Sequence, residues 1–243
     1  PLPSGQDFHH NRVLFAVFPA GTGFAPHALP AVPEGLPLAE APVYSLDDAG
    51  TSEIDDAFSV RRMSDDEWRI GVHIAAPALG FSPGSSLDAI ARERLSTVYM
   101  PGQKITMLPP DVIEAFSLDA GTERPAISIY FNVAASDFSI RGHHSRFERV
   151  KVAGNLRHGA YDTLNSLLPL GGKAGLEYED EIATLWHFAN ALEAKRGKPS
   201  VNANFLDFNF SVAGEHVEIV ARKRGAPLDK LVAELMILAN STW

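Results

Sequence analysis

Five of the ten residues from Asp47 to Asp56 are carboxylates, in the order Asp47-Asp48-Ala-Gly-Thr-Ser-Glu53-Ile-Asp55-Asp56. No positive charge lies between Ser45 and Val60 to offset them. Acidic side chains this close repel one another, and burying them unpaired is costly. The cluster is therefore either fully hydrated or neutralised by a cation. Hard oxygen donors on a short connection suit Mg²⁺ or Mn²⁺, which keep several waters and take one or two carboxylates plus substrate phosphate. Asp47, Glu53 and Asp55 do not fit the alternating register or the glycine position of an EF-hand.

Such acids need elements to hold them. Val43-Tyr44-Ser45-Leu46 before the cluster and Ala57-Phe58-Ser59-Val60 after it read as short strands, and Ala49-Gly50-Thr51-Ser52 between them is turn chemistry. The acids therefore belong to a tight loop between core strands. Further along, Trp68 to Ala75 alternates with Ile70, Val72 and Ile74 on one face. Ser85-Ser-Leu-Asp88 resembles a capping box that opens a helix to about Leu95, and Pro109-Pro110-Asp111 opens a short second one. Ala126–Ala134 and Phe147–Val152 read as strands, and residues 158–168 as a helix. Glu179–Arg196 is the clearest helix, with acids in its first turn and Lys195-Arg196-Gly197 closing it. Leu206–Val212 and Glu215–Ala221 pair as a hairpin about Gly214, and Pro227-Leu-Asp229 opens a last helix to Asn240. The class is α+β, with a mixed, largely antiparallel sheet packed with helices.

The chain of 243 residues is 45% hydrophobic, enough for one large or two small domains. Its apolar runs are too short to span a bilayer, and no signal segment opens it. Zero cysteines exclude disulfides, thiolate zinc sites and cysteine nucleophiles, and fit a cytoplasmic location. The net charge of −9 argues weakly against nucleic acid, unless a metal supplies positive charge at the phosphate. Basic residues are nonetheless grouped, as at Lys151/Arg157/His158 and Arg222/Lys223/Arg224. Residues 1–40 are proline-rich, with a strand expected only at Arg12–Phe18, and read as a linker or the edge of an upstream domain. Residues 41–243 form the main domain.

Two aromatics stand apart. Phe205 falls on the polar face of its strand with Asp207 and Asn209, and is either a platform for a stacked base or packed under a helix. Tyr99 sits where a strand breaks at Met100-Pro101-Gly102, as a pocket aromatic or a rim residue. His73 reads as a structural hydrogen-bonding residue, His143-His144 as a turn without metal partners, and Trp186 as helix core.

Taken in order, these segments resemble the catalytic RNB domain of the RNase II family of exoribonucleases. Leu46-Asp47 through Asp55-Asp56-Ala57 is similar to the family's acidic motif, Val72-His73-Ile74-Ala75 to its "VHIAD" strand, and Pro83 to Asp88 to its "PGSxLD" helix start. Thr97 to Pro101 through Met107-Leu108-Pro109 is similar to "TSVYLP…PMLP", Phe116-Ser117-Leu118 with Arg124-Pro125 to "CSLxPxxxR", and Glu234 to Asn240 to "EExMxxAN". The resemblance implies an RNB-like catalytic domain that degrades single-stranded RNA processively from 3′ to 5′, releasing nucleoside 5′-monophosphates with Mg²⁺. It implies that Asp47, Glu53, Asp55 and Asp56 are the acids of a two-metal site, and that Tyr99 and Phe205 clamp the terminal bases. It further implies an arginine-rich segment and an S1-type RNA-binding domain beyond Trp243, without which residues 1–243 are expected to hydrolyse RNA poorly. The sequence departs from the pattern at Glu53, where aspartate is usual, and at Ala76 and Ala233, where acids are usual. Glu53 and Ala76 leave open a weakened module that holds RNA 3′ ends uncut. A phosphohydrolase acting on small phosphate esters is a third reading.

Overall fold

The computed structural model describes residues 16–18, 21–48, 50–100, 103–197, 206–213, 216–223 and 226–243. In chain order the strands are β1 (Val43–Asp47), β2 (Asp56–Ser64), β3 (Glu67–Ala75), β4 (Val98–Met100), β5 (Gln103–Ile105), β6 (Glu123–Ala134), β7 (Ile140–Arg157), β8 (Leu206–Ala213) and β9 (His216–Lys223). The helices are α1 (Ser86–Arg94), α2 (Pro110–Phe116), α3 (His158–Leu167), α4 (Glu179–Arg196) and α5 (Pro227–Thr242). A closed barrel of order β1-β2-β3-β6-β7 is the centre of the molecule, and β4-β5 and β8-β9 are separate two-stranded sheets. The barrel is antiparallel except where β1 runs parallel to β7, from Val43↔Val152 to Asp47↔Arg157. The structure is therefore α+β with a largely antiparallel sheet, as the sequence predicts.

Strand alternation divides the barrel residues into two sets. Tyr44, Phe58, Ile70, Val72, Ile129 and Phe131 lie on one face and pack with Leu185 and Phe188 of α4 and Leu231 and Leu235 of α5. The opposite face therefore turns into the barrel. It carries small residues, Ala57, Ser59, Gly71, Ala126 and Ser128, as the narrow lumen of a five-stranded barrel requires. A Cβ on Gly71 would come within 2.5 Å of Ser59 Oγ and 2.6 Å of His73 Nε2, so the space beside the His73 ring exists because residue 71 has no side chain.

His73 is wholly buried there. Its Nε2 lies 2.8 Å from Ser59 Oγ and its Nδ1 2.7 Å from Ser128 Oγ. Burial, followed by the Arg146 charge, pushes the imidazole down to about 3, so it is neutral and its two nitrogens serve as hydrogen-bonding groups. The structural role expected of His73 holds. Next to it, Tyr130 donates to the buried carboxylate of Glu148 at 2.6 Å, and Arg146 Nε approaches the same carboxylate at 2.5 Å.

Most expected elements are present. The capping box opens α1: Ser85 Oγ accepts from Asp88 N at 3.3 Å, and the Asp88 carboxylate accepts from Gly84 N at 2.7 Å. At the start of α4, the Glu179 carboxylate accepts from the backbone N–H groups of Gly175 at 2.6 Å and Leu176 at 3.1 Å. Trp186 is half-buried and packs against the core.

Two expectations fail. His143 and His144 are not a turn but part of β7, opposite Phe131 and Tyr130, with the His144 ring stacked on Tyr130 at 5.2 Å. Pairing with β6 supplies the backbone hydrogen bonds there, and it overrides the polar, glycine-containing local sequence. Of the strand expected at Arg12–Phe18, residues 12–15 lie outside the described residues, and Ala16 and Val17 are helical.

Residues 21–42 lack regular structure but are tied to the domain. Arg149 N donates to Pro37 O and Ala39 N to Arg149 O, both at 2.8 Å, and Ala31 N donates to Gly80 O at 2.9 Å. Arg94 donates to the carbonyls of Thr22 at 2.8 Å, Gly23 at 2.6 Å and Thr106 at 2.9 Å, with its guanidinium over the Phe24 ring. In the β8-β9 hairpin, Phe210, Val212, Val217 and Ile219 are exposed. Among the described residues, no helix is long and apolar enough to cross a membrane.

Candidate active site

The acidic loop leaves the barrel at the end of β1 and returns at the start of β2. Ile54, within the loop, is fully buried with Leu118, Ala57 and Val43 and anchors it to the barrel. Ile54 N donates to Ser117 Oγ at 3.1 Å, Leu118 N donates to Ile54 O at 2.9 Å, and Ala75 N donates to Asp55 O at 2.8 Å. Arg157, at the end of β7, donates to the carbonyls of Asp48 and Thr51 at 3.1 and 3.2 Å. A buried isoleucine between acids thus fixes a backbone whose charged side chains point elsewhere.

Asp47 accepts a short hydrogen bond from Ser45 Oγ. Ser45 in turn accepts from Asn155 Nδ2 at 3.0 Å, and the same amide donates to Leu118 O at 2.9 Å. This chain fixes one carboxylate through a neutral relay from β7. The Asp56 carboxyl is pushed up to about 6, first by burial and then by the charges of Asp47 and Asp55. That of Asp55 is raised by loss of water, then by Glu53; Lys104 opposes the rise and Asp47 adds to it. The acids therefore share one electrostatic neighbourhood and strain against one another in it.

Tyr99 belongs to the same neighbourhood. Its side chain stands on the rim, 72% exposed, yet its hydroxyl is raised above its ordinary range by partial loss of water and then by the Glu53 and Asp55 charges. Of the two readings open for Tyr99, the rim is the one found, and it is the rim of the acidic loop. Phe205 lies outside the described residues.

Lys104 was not anticipated as a site residue. On β5 it pairs with Tyr99 of β4. Its ammonium lies 3.2 Å from Glu53 Oε1 and donates to Ser52 Oγ at 2.9 Å. Asn155 was also missed; an amide inside a strand, where asparagine is disfavoured, was the available signal. Lys104 gave no such signal, because nothing local ties a lysine after a turn to a glutamate fifty positions earlier.

The donor set fits Mg²⁺ or Mn²⁺ in kind: hard carboxylate oxygens, partly stripped of water and repelling one another. Among the described residues, no three His, Cys, Asp or Glu side chains converge as a metal cage. Mg²⁺ does not require one, since it is held by one or two carboxylates and completes its shell with water and substrate oxygens. Asp47, Asp55, Asp56 and Glu53 are the residues that would hold such ions.

The chain is 30% identical over 215 residues to exoribonuclease 2 of Vibrio parahaemolyticus, a match covering 85% of this chain and 32% of the relative. It thus spans about a third of the length of the curated relatives it matches. Among solved structures, RNase R of Mycoplasma genitalium in complex with ribose-methylated single-stranded RNA superposes with a TM-score of 0.70 at 15% identity, over 86% of this chain and 33% of that one. Yeast Ssd1, a pseudonuclease, superposes with a TM-score of 0.66 at 19% identity, over 88% and 27%. At such identities the superpositions speak for the fold alone. The model of the RNB domain matches residues 37–243, most of the chain, which therefore belongs to the RNB-domain ribonuclease family.

Proposed function

We propose that this chain is the catalytic part of a 3′→5′ exoribonuclease that hydrolyses single-stranded RNA processively to nucleoside 5′-monophosphates. The observation that carries the reading is the placement of Asp47, Glu53, Asp55 and Asp56 along one loop at the end of the barrel strands β1 and β2, with Lys104 of β5 against Glu53 and Tyr99 of β4 paired with Lys104. Asp47 and Asp56 would hold the tighter of two Mg²⁺ ions, with Mn²⁺ as a substitute. Asp55 would orient the attacking water and, with Glu53, would serve the second ion. When bound, such ions make water nucleophilic at neutral pH and stabilise the leaving oxygen. Tyr99 stacks on the terminal base, at about 1–3 kcal/mol per base and without sequence preference, and Phe205 is its proposed companion.

On this reading residues 41–243 are the RNB catalytic unit and the protein works in the cytoplasm. The chain spans about a third of the length of its curated relatives, and on the same reading an arginine-rich segment and an S1-type RNA-binding domain are expected in the rest of the full-length protein. In the full-length protein, Asp55→Asn is expected to cut Mg²⁺-dependent release of labelled mononucleotide by at least about a hundredfold, with RNA binding retained. Unchanged release would remove the acidic loop from the chemistry. A second reading, an RNA 3′-end-binding module without cleavage, is favoured by the Glu53–Lys104 ion pair. It is the correct one if the native full-length protein binds RNA and releases no mononucleotide.

A further inference from the structure

Glu53 has a cation of this chain against it. Its side chain is only 11% exposed, and its Oε1 is shielded from solvent, accepts no hydrogen bond from any described residue and faces the Lys104 ammonium at 3.2 Å. Lys104 is itself held in place. It projects from β5 opposite Tyr99 and donates to Ser52 Oγ at 2.9 Å, so its charge is fixed at the loop on two contacts. A fixed positive charge at a carboxylate competes with any ion that would use that carboxylate.

We propose that Lys104 is a tethered counter-ion for Glu53 that holds the Glu53 side of the acidic loop against a second divalent ion in the free protein. The inference rests on the reading that the loop binds divalent cations. Charge balance gives it direction. Counted over Asp47, Glu53, Asp55, Asp56 and Lys104 alone, one divalent ion leaves a single net negative charge and a second overshoots to net positive. Without Lys104, two divalent ions neutralise the four acids. An RNA phosphate brings one more negative charge and restores the balance for two ions with Lys104 still present. Lys104 is thus a positioning residue: it acts through Glu53 and sets when the second ion is welcome.

The test is a titration of the full-length protein with Mn²⁺ alone, the free ion being followed by electron paramagnetic resonance. Lys104→Gln keeps a donor for Ser52 and removes the charge; Lys104→Arg keeps the charge. Native protein is expected to bind one ion tightly, and a second about ten- to a hundredfold more weakly than the Gln variant does, with Lys104→Arg retaining the native pattern. Lys104→Met repeats the measurement should Gln disturb the hairpin. A lysine that is merely structural would shift the melting temperature and leave the second dissociation constant unmoved. Superimposable isotherms for native and both neutral variants would overturn the proposal and leave the metal reading standing. Absence in native protein of any Mn²⁺ binding that Asp56→Asn removes would overturn both.

Discussion

Asp56 shows what the acidic loop costs the fold when no cation is bound. Its carboxyl is raised from 3.8 to about 6, chiefly by burial and then by Asp47 and Asp55. Between those values the unfolded chain has lost this proton and the folded chain has kept it. The folded state binds more protons there, so stability falls as pH rises through the window. The loss is on the order of 2–3 kcal/mol, complete above about pH 6. Thermal unfolding without divalent ions is therefore expected to lose stability from about pH 4 to pH 6 relative to Asp56→Asn, and Mg²⁺ is expected to shrink the difference. Identical pH slopes for the two proteins would show that the Asp56 charge is not under strain. At this scale the cluster was legible in the sequence as five carboxylates without a local counter-charge, which by itself left hydration and a bound cation both open. The Lys104 contact was not, since it is created only when the β4-β5 hairpin folds over the loop.

The elements around the loop explain why some patterns could be read and others could not. Outward-facing positions of β2, β3 and β6 alternate cleanly, because the helices on that face demand a continuous apolar surface. The inward set reads as small and polar residues, which a sequence pattern assigns to solvent, although the barrel encloses them. Hence His73 and Glu148 are fully buried while their neighbours in sequence give no warning. His143 and His144 were misread for the related reason that β6 supplies their pairing. Gly71 carries the sharpest consequence. Gly71→Ala drives a methyl into Ser59 and His73 and is expected to destabilise the domain by about 1–3 kcal/mol, measured by urea unfolding. A ΔΔG near zero would mean that the lumen has room that these contacts deny it.

Across the whole molecule, the barrel is closed by its most distant partners. β3 pairs with β2 through a short turn, whereas β1 is held along its length by β7, about 110 residues later. Closure is therefore expected late in folding. Val43→Ala, in β1, removes fully buried packing and should speed unfolding and leave the folding rate little changed, while Ile70→Val, in β3, should slow folding, as stopped-flow chevrons would record. The reverse pattern would place β1 in the folding nucleus. The parallel partnership was beyond the sequence, because nothing in Val43–Asp47 names a strand a hundred residues away as its neighbour.

That late seam runs through Asp47, whose register partner is Arg157 and whose relay passes through Asn155, both at the end of β7. Until β7 has been made and docked, the first acid of the loop lacks the elements that aim it. On the function proposed for the loop, a growing chain on the ribosome would then carry its carboxylates unassembled, unable to concentrate ions beside the messenger being read.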